Sequence, residues 1–91
     1  MGVLFEWDEW KNRANQDKHG VSFEEAAGIW DDEDMLVVPA RRRGEKRLLA
    51  IGRIHVAVYA VIHTERGVAV RIISARLATE KERQAYEQNA R

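Results

Sequence analysis

His55-Val56-Ala57-Val58-Tyr59-Ala60-Val61-Ile62-His63-Thr64, a turn at Glu65-Arg66-Gly67, and Val68-Ala69-Val70-Arg71-Ile72-Ile73-Ser74-Ala75-Arg76-Leu77 form the stretch that decides the fold. Both long segments are rich in β-branched residues, and the turn between them makes them an antiparallel pair. Lys46 to Arg53 reads as a strand ahead of them. A basic loop, Ala40 to Glu45, leads back from it to a short strand, Met35 to Val38, which Pro39 is expected to stop. Further upstream, Val3 to Trp7 is a strand. Asp8 then caps a helix that ends at His19-Gly20, and Ser22-Phe23-Glu24-Glu25 is a capping box opening a second helix to about Trp30. Asp31-Asp32-Glu33-Asp34 opposes a helix dipole at its C-terminal end and reads as a loop. Thr79-Glu80-Lys81-Glu82 is a second capping box and starts a last helix to about Gln88. The order β-α-α-β-β-β-β-α predicts an α+β fold with helices packed on one face of an antiparallel sheet.

Register follows from the turn. Pairing His63 with Val68 across a four-residue turn sets Tyr59 opposite Ile72, Ala57 opposite Ser74 and His55 opposite Arg76. One face then carries Val56, Val58, Ala60, Ile62, Ile73, Ala75 and Leu77, with Arg71 as its polar exception, and is expected to lie under the helices. The other carries His55, Tyr59, His63, Ser74 and Arg76 and is expected to stay open.

The chain has 91 residues, 45% of them apolar and 33% charged, which predicts one globular domain spanning residues 1–91. With no cysteine, disulfides, thiolate zinc sites and cysteine nucleophiles are ruled out, and a reducing, cytoplasmic setting is expected. The longest apolar run, Val56 to Ile62, is seven residues, far short of the ~20 that a membrane span requires. The N-terminus lacks the basic and apolar regions of a signal peptide. Net charge is zero, but residues 1–35 hold ten acids against three bases, a net of −7, and residues 36–91 hold five acids against twelve bases, a net of +7. The basic part suits a polyanion.

His19, His55 and His63 have no metal-ligand spacing, and Gly44, Gly52 and Gly67 form no phosphate loop, so no metal and no cofactor are expected. What remains is a surface of arginine and histidine: Arg47 and Arg53 on one strand, His63 on the next, Ser74 and Arg76 on the last. Guanidinium forks suit phosphate oxygens, and imidazole moves a proton near neutral pH. Metal-free RNA cleavage uses these groups: a base for the 2′-OH, cations for the charged phosphorane and an acid for the leaving oxygen. Tyr59 or a tryptophan is expected to stack an unpaired base. The same surface also suits a non-catalytic module that binds protein or DNA.

Phe5-Glu6-Trp7-Asp8, Lys18-His19-Gly20-Val21-Ser22-Phe23-Glu24-Glu25-Ala26, Ile51-Gly52-Arg53, His63-Thr64-Glu65-Arg66, Arg71-Ile72-Ile73-Ser74-Ala75-Arg76, Ala78-Thr79 and Glu82-Arg83 together resemble the BrnT toxins, the toxin half of the BrnT–BrnA type II toxin–antitoxin system. The resemblance covers nearly the whole chain in the right order. It implies a RelE-like fold and a ribosome-independent endoribonuclease that arrests translation. It also implies a BrnA-like antitoxin as partner, in a heterotetramer that reaches operator DNA only through the antitoxin. By matching positions it makes Lys18, His19, Arg53, Ser74 and Arg76 active-surface residues, with His63 and Arg71 beside them.

Overall fold

The caps form as the sequence predicts. The Asp8 carboxylate accepts from the backbone N–H groups of Trp10 and Lys11 and starts α1, Glu9–His19. Gly20, at φ 74°, closes that helix in the left-handed conformation that a side chain resists. Ser22 and Glu25 cap each other at the start of α2, Phe23–Ala26, and the chain then tightens into a 3-10 helix, Ala27–Asp31. The structure, a computed structural model, describes residues 2–42 and 45–90. Its strands are β1 (Leu4–Glu6), β2 (Leu36–Arg42), β3 (Glu45–Ile54), β4 (Ala57–Arg66) and β5 (Ala69–Leu77), followed by the Thr79-capped α3, Glu80–Asn89. The sheet order is β1-β5-β4-β3-β2, with β1 parallel to β5 and every other pair antiparallel.

Pro39 does not stop β2, which runs on to Arg42. β2 is an edge strand, where a residue without an N–H is tolerated. Arg43 and Gly44, the centre of the expected basic loop, lie outside the described residues.

The register of β4 on β5 corrects the expectation. The turn between them holds two residues, Gly67 and Val68, so Arg66 pairs with Ala69 and His63 with Ile72. Between Ile62 and His63 the register shifts: Ile62 faces Ser74, His63 faces Ile72, and Ile73 is left over as a bulge. The extra residue turns the rest of β5 over. Val70, Ile72 and Ala75 are buried, at spacings of two and then three. Ser74 and Arg76 therefore pair with Ile62 and Ala60, on the face opposite His63 and Tyr59.

The faces are also covered differently from the expectation. One face carries Ala50, Gly52, Tyr59, Val61, His63, Ile72 and Ala75, and packs against Val21, Phe23, Ala26 and Ile29 of the α1–α2 region. Packing there is tight at Gly52, where an added Cβ would lie 2.7 Å from the Ile29 Cβ. The other face carries Ile51, Val58, Ala60, Ile62, Ser74 and Arg76, and α3 lies across it through Tyr86, which is buried against Ile51 and Val58. Helices therefore pack on both faces. Two covers explain why Ala60 and Val61, consecutive and pointing apart, are both fully buried.

Two buried asparagines lock α1 in place. β1 pairs with β5 only over Ala69–Arg71, leaving the outer edge of β5 bare beyond it. There Asn15 accepts from the Ala75 N–H (3.0 Å) and donates to the Ala75 carbonyl (2.8 Å) and the Val21 carbonyl (3.0 Å). Its amide replaces a strand neighbour. Asn12 accepts from the Phe23 N–H and donates to Glu24, tying α1 to α2.

Candidate functional site

The pairing register stacks rows of side chains across the α3 face. Leu36, Ile51, Ala60 and Arg76 form one row; Val38, Leu49, Ile62 and Ser74 form the next. Thr64, two residues beyond Ile62, pairs with Arg71, which pairs with Glu6, and Arg47, opposite Ala40 of β2, lies two residues before Leu49 on the same face. α3 covers the first row through Tyr86. The second and third rows have a half-buried floor of Val38, Leu49, Ile62, Ser74 and Thr64. Arg47 and Arg71 lie at its far side and Arg76 at the α3 side. Arg71 donates to Glu6 (3.0 Å), and Arg66 reaches the same carboxylate oxygen at 3.5 Å. All three of these side chains are a third or more exposed, so water screens the pairs and they hold little energy, about 0–1 kcal/mol each.

Arg76 is held more firmly. Its two terminal nitrogens donate to the two oxygens of Glu82, at 2.7 and 3.0 Å. Glu82 in turn accepts from the Thr79 N–H as part of the α3 cap. The Arg76 hydrogen bond is the main reason the Glu82 carboxyl sits below the usual range, and it raises Arg76 in return. The fork fixes the guanidinium plane at the border between covered and open sheet.

The other end of α3 is anchored by Asp32. One carboxylate oxygen accepts from the Tyr86 hydroxyl (2.6 Å) and the Arg53 N–H (2.8 Å), and the other from the Asp34 N–H (2.9 Å). Burial works to raise Asp32, but these bonds outweigh it and hold the carboxyl below the usual range. Burial and the Asp32 contact raise the Tyr86 phenol. The Arg53 guanidinium lies over the Tyr86 ring, 5.6 Å from its centroid. Arg53 opens onto a cleft beside the β3–β4 hairpin whose lining includes neither Ser74 nor Arg76.

The remaining expected residues lie elsewhere. His63 is 2% exposed on the α1–α2 face, its ring edge-on to Trp30 at 5.0 Å, and Trp30 meets Phe5 in the same way. Burial lowers the His63 pKa, against a weak contact to the Val61 carbonyl, so the ring is neutral near pH 7. Tyr59 is half-buried on that face, against Gly52. Lys18 and His19 are exposed in the last turn of α1, which packs along β5 on the side away from α3. The structure thus places Arg47, Arg71, Ser74 and Arg76 on one sheet face, with Arg76 at the border of α3, sets Arg53 across α3, and places His63, Tyr59, Lys18 and His19 apart from them.

Two residues of this region escaped sequence reasoning: Asp32 and Tyr86. Tyr86 carried a usable signal. It lies four residues after the capping Glu82, one helical turn along the same face. Asp32 had little, because apart from the Asp34 N–H its partners are 21 and 54 residues away.

Chemically, the open half-face offers guanidinium forks and a hydroxyl to a phosphodiester on an apolar floor. Among the described residues no three His, Asp or Glu side chains come together to hold a metal ion, and no helix is long and apolar enough to cross a membrane. A family model described as ribonuclease toxin, BrnT, of type II toxin-antitoxin system matches residues 7–82. None of the curated proteins searched matches the chain.

Proposed function

The chain belongs to the BrnT family of ribonuclease toxins of type II toxin–antitoxin systems, and from that premise we propose that it is a RelE-like, metal-independent and ribosome-independent endoribonuclease. In this reading residues 1–91 are one toxin domain that arrests translation in the cytoplasm. The observation that carries it is the line Arg71, Ser74 and Arg76 on β5, running from the uncovered half of the sheet to the border of α3, with Arg47 on β3 on the same face. Arg76 and Arg71 hold the non-bridging oxygens of one phosphate, and the Ser74 hydroxyl donates to it. The ribose 2′-oxygen attacks phosphorus as its proton passes to solvent water, the bond to the 5′-oxygen breaks, and that oxygen takes up a proton from solvent. The products are a 2′,3′-cyclic phosphate and a 5′-hydroxyl. The arginines act by matching charge that grows in the transition state.

The family implies an antitoxin partner. We propose that it is BrnA-like, that a segment of it covers the Arg71–Arg76 half-face, and that the two chains form a heterotetramer reaching operator DNA through the antitoxin. Occlusion is the simplest inhibition, because an acidic segment would meet the same arginines as RNA. The test is cleavage of a defined RNA by the purified chain in EDTA, with and without the antitoxin. Cleavage in EDTA that the antitoxin abolishes is expected; loss of wild-type cleavage in EDTA would refute the metal-free mechanism.

A further inference from the structure

A cleft of about 310 Å³ lies between α3 and the β3–β4 hairpin. Arg53 from β3 and Arg83 from α3 both line it, so guanidinium groups from separate elements share one opening. The same cleft is lined by Val56, 93% exposed, and Leu77, 59% exposed. Folding gains nothing from apolar side chains left so open; a ligand that covers them does.

The arginines differ in how they are held. Arg53 is laid over the Tyr86 ring, and Tyr86 is itself buried and fixed by Asp32, so the cation is oriented before any ligand arrives. Arg83 donates to Glu80 at 2.6 Å, but with side chains 51% and 69% exposed that pair is screened by water and a phosphate can replace it.

We propose that this cleft is a second RNA-binding site, taking one nucleotide of a single strand with its phosphate between Arg53 and Arg83 and its base against Val56 and Leu77. Glu87, also on the lining, accepts from an exocyclic amine of the base. A base reaches the apolar wall only when unstacked, so the site selects single strands over duplex. α3 separates it from Ser74 and Arg76, which makes it a subsite for binding an RNA that is cut on the other side of the helix. The proposal rests on the ribonuclease reading only for the identity of the ligand.

The test uses the whole chain and a short single-stranded RNA with 2′-O-methyl groups, which cannot be cut by 2′-oxygen attack. Binding is followed by fluorescence anisotropy over a salt series. Arg53→Ala and Arg83→Ala are each expected to weaken binding and to lower the slope of log affinity against log salt by about 0.7, the loss of one single-strand phosphate contact. Val56→Ser is expected to weaken binding with the slope unchanged. A double Arg53→Ala, Arg83→Ala variant that binds with wild-type affinity and slope overturns the subsite, whatever happens to cleavage. A double variant that keeps RNA binding but loses the antitoxin also overturns it, because the cleft is then a protein-docking surface. If the expected binding losses appear but the wild-type chain cuts no RNA, the cleft stands and the ribonuclease reading falls.

Discussion

The same three strands, β3, β4 and β5, make two faces with opposite characters. On the α1–α2 side, a histidine is enclosed edge-on to Trp30 and an asparagine amide is enclosed and bonded to backbone groups, and the rest is aliphatic and aromatic packing. On the α3 side a single helix covers half the sheet through one tyrosine, and arginines line the border and the open remainder. Polar groups on the first face serve the fold: each satisfies a backbone group or an aromatic edge. On the second face Arg71 and Arg76 have carboxylate partners, Glu6 and Glu82, that an anionic ligand can replace. Residue type alone does not separate these roles, since a histidine and an arginine look equally chemical in a sequence. Coverage does.

The largest expected effect breaks the second face. Arg76→Ala should lower RNA cleavage on the order of a hundred- to thousandfold, the usual loss when a preorganised transition-state contact is removed. Ser74→Ala removes a hydrogen bond from an uncharged hydroxyl to the anionic phosphate and should cost less, roughly ten- to a hundredfold. Initial rates on a defined RNA measure both. Full activity in Arg76→Ala would end the arginine-clamp mechanism.

Asn15→Ala breaks the first face. It leaves the N–H and carbonyl of Ala75 and the carbonyl of Val21 without the partner they have. Buried groups left unpaired cost ~1–3 kcal/mol each, with partial relief by water, so a loss of about 3 kcal/mol is expected. Urea unfolding should show a lower midpoint at an unchanged slope, and the protein still folded should cut RNA normally.

A sharper probe is His63. Its pKa is lower in the folded chain than in the unfolded chain, so the unfolded state binds protons first as pH falls. The stability contributed by the neutral ring is present above about pH 6.5 and is lost as pH drops toward the folded value. His63→Phe keeps a ring beside Trp30 and should remove this part of the pH dependence while cleavage continues. Loss of cleavage in a folded His63→Phe would move catalysis to the covered face.

The smallest effect is expected at the end of α1. Lys18→Ala and His19→Ala should change RNA binding by at most one positional phosphate contact each, a salt slope lower by about 0.7. A rate loss like that of Arg76→Ala would place the α1 terminus in the reacting site.

Much of the fold was written locally. Asp8, Gly20, the Ser22–Glu25 box and the Thr79–Glu82 box act within a few residues of themselves, so helix starts and the first helix end followed from spacing alone. The strands of the long hairpin followed from β-branched runs, and the expectation placed on Arg71, Ser74 and Arg76 came from their place in one motif. What the chain did not reveal by itself was which residues share a face. That depends on Ile73, whose status as a bulge exists only in relation to β4, and which separates Ser74 and Arg76 from His63. It depends also on α3 crossing to the other side of the sheet, decided by Tyr86 finding Asp32 across 54 residues. Caps and turns are settled by neighbours in sequence; pairing registers and helix docking are settled by partners far along the chain, so only the tertiary structure divided the polar residues between a core and an open surface.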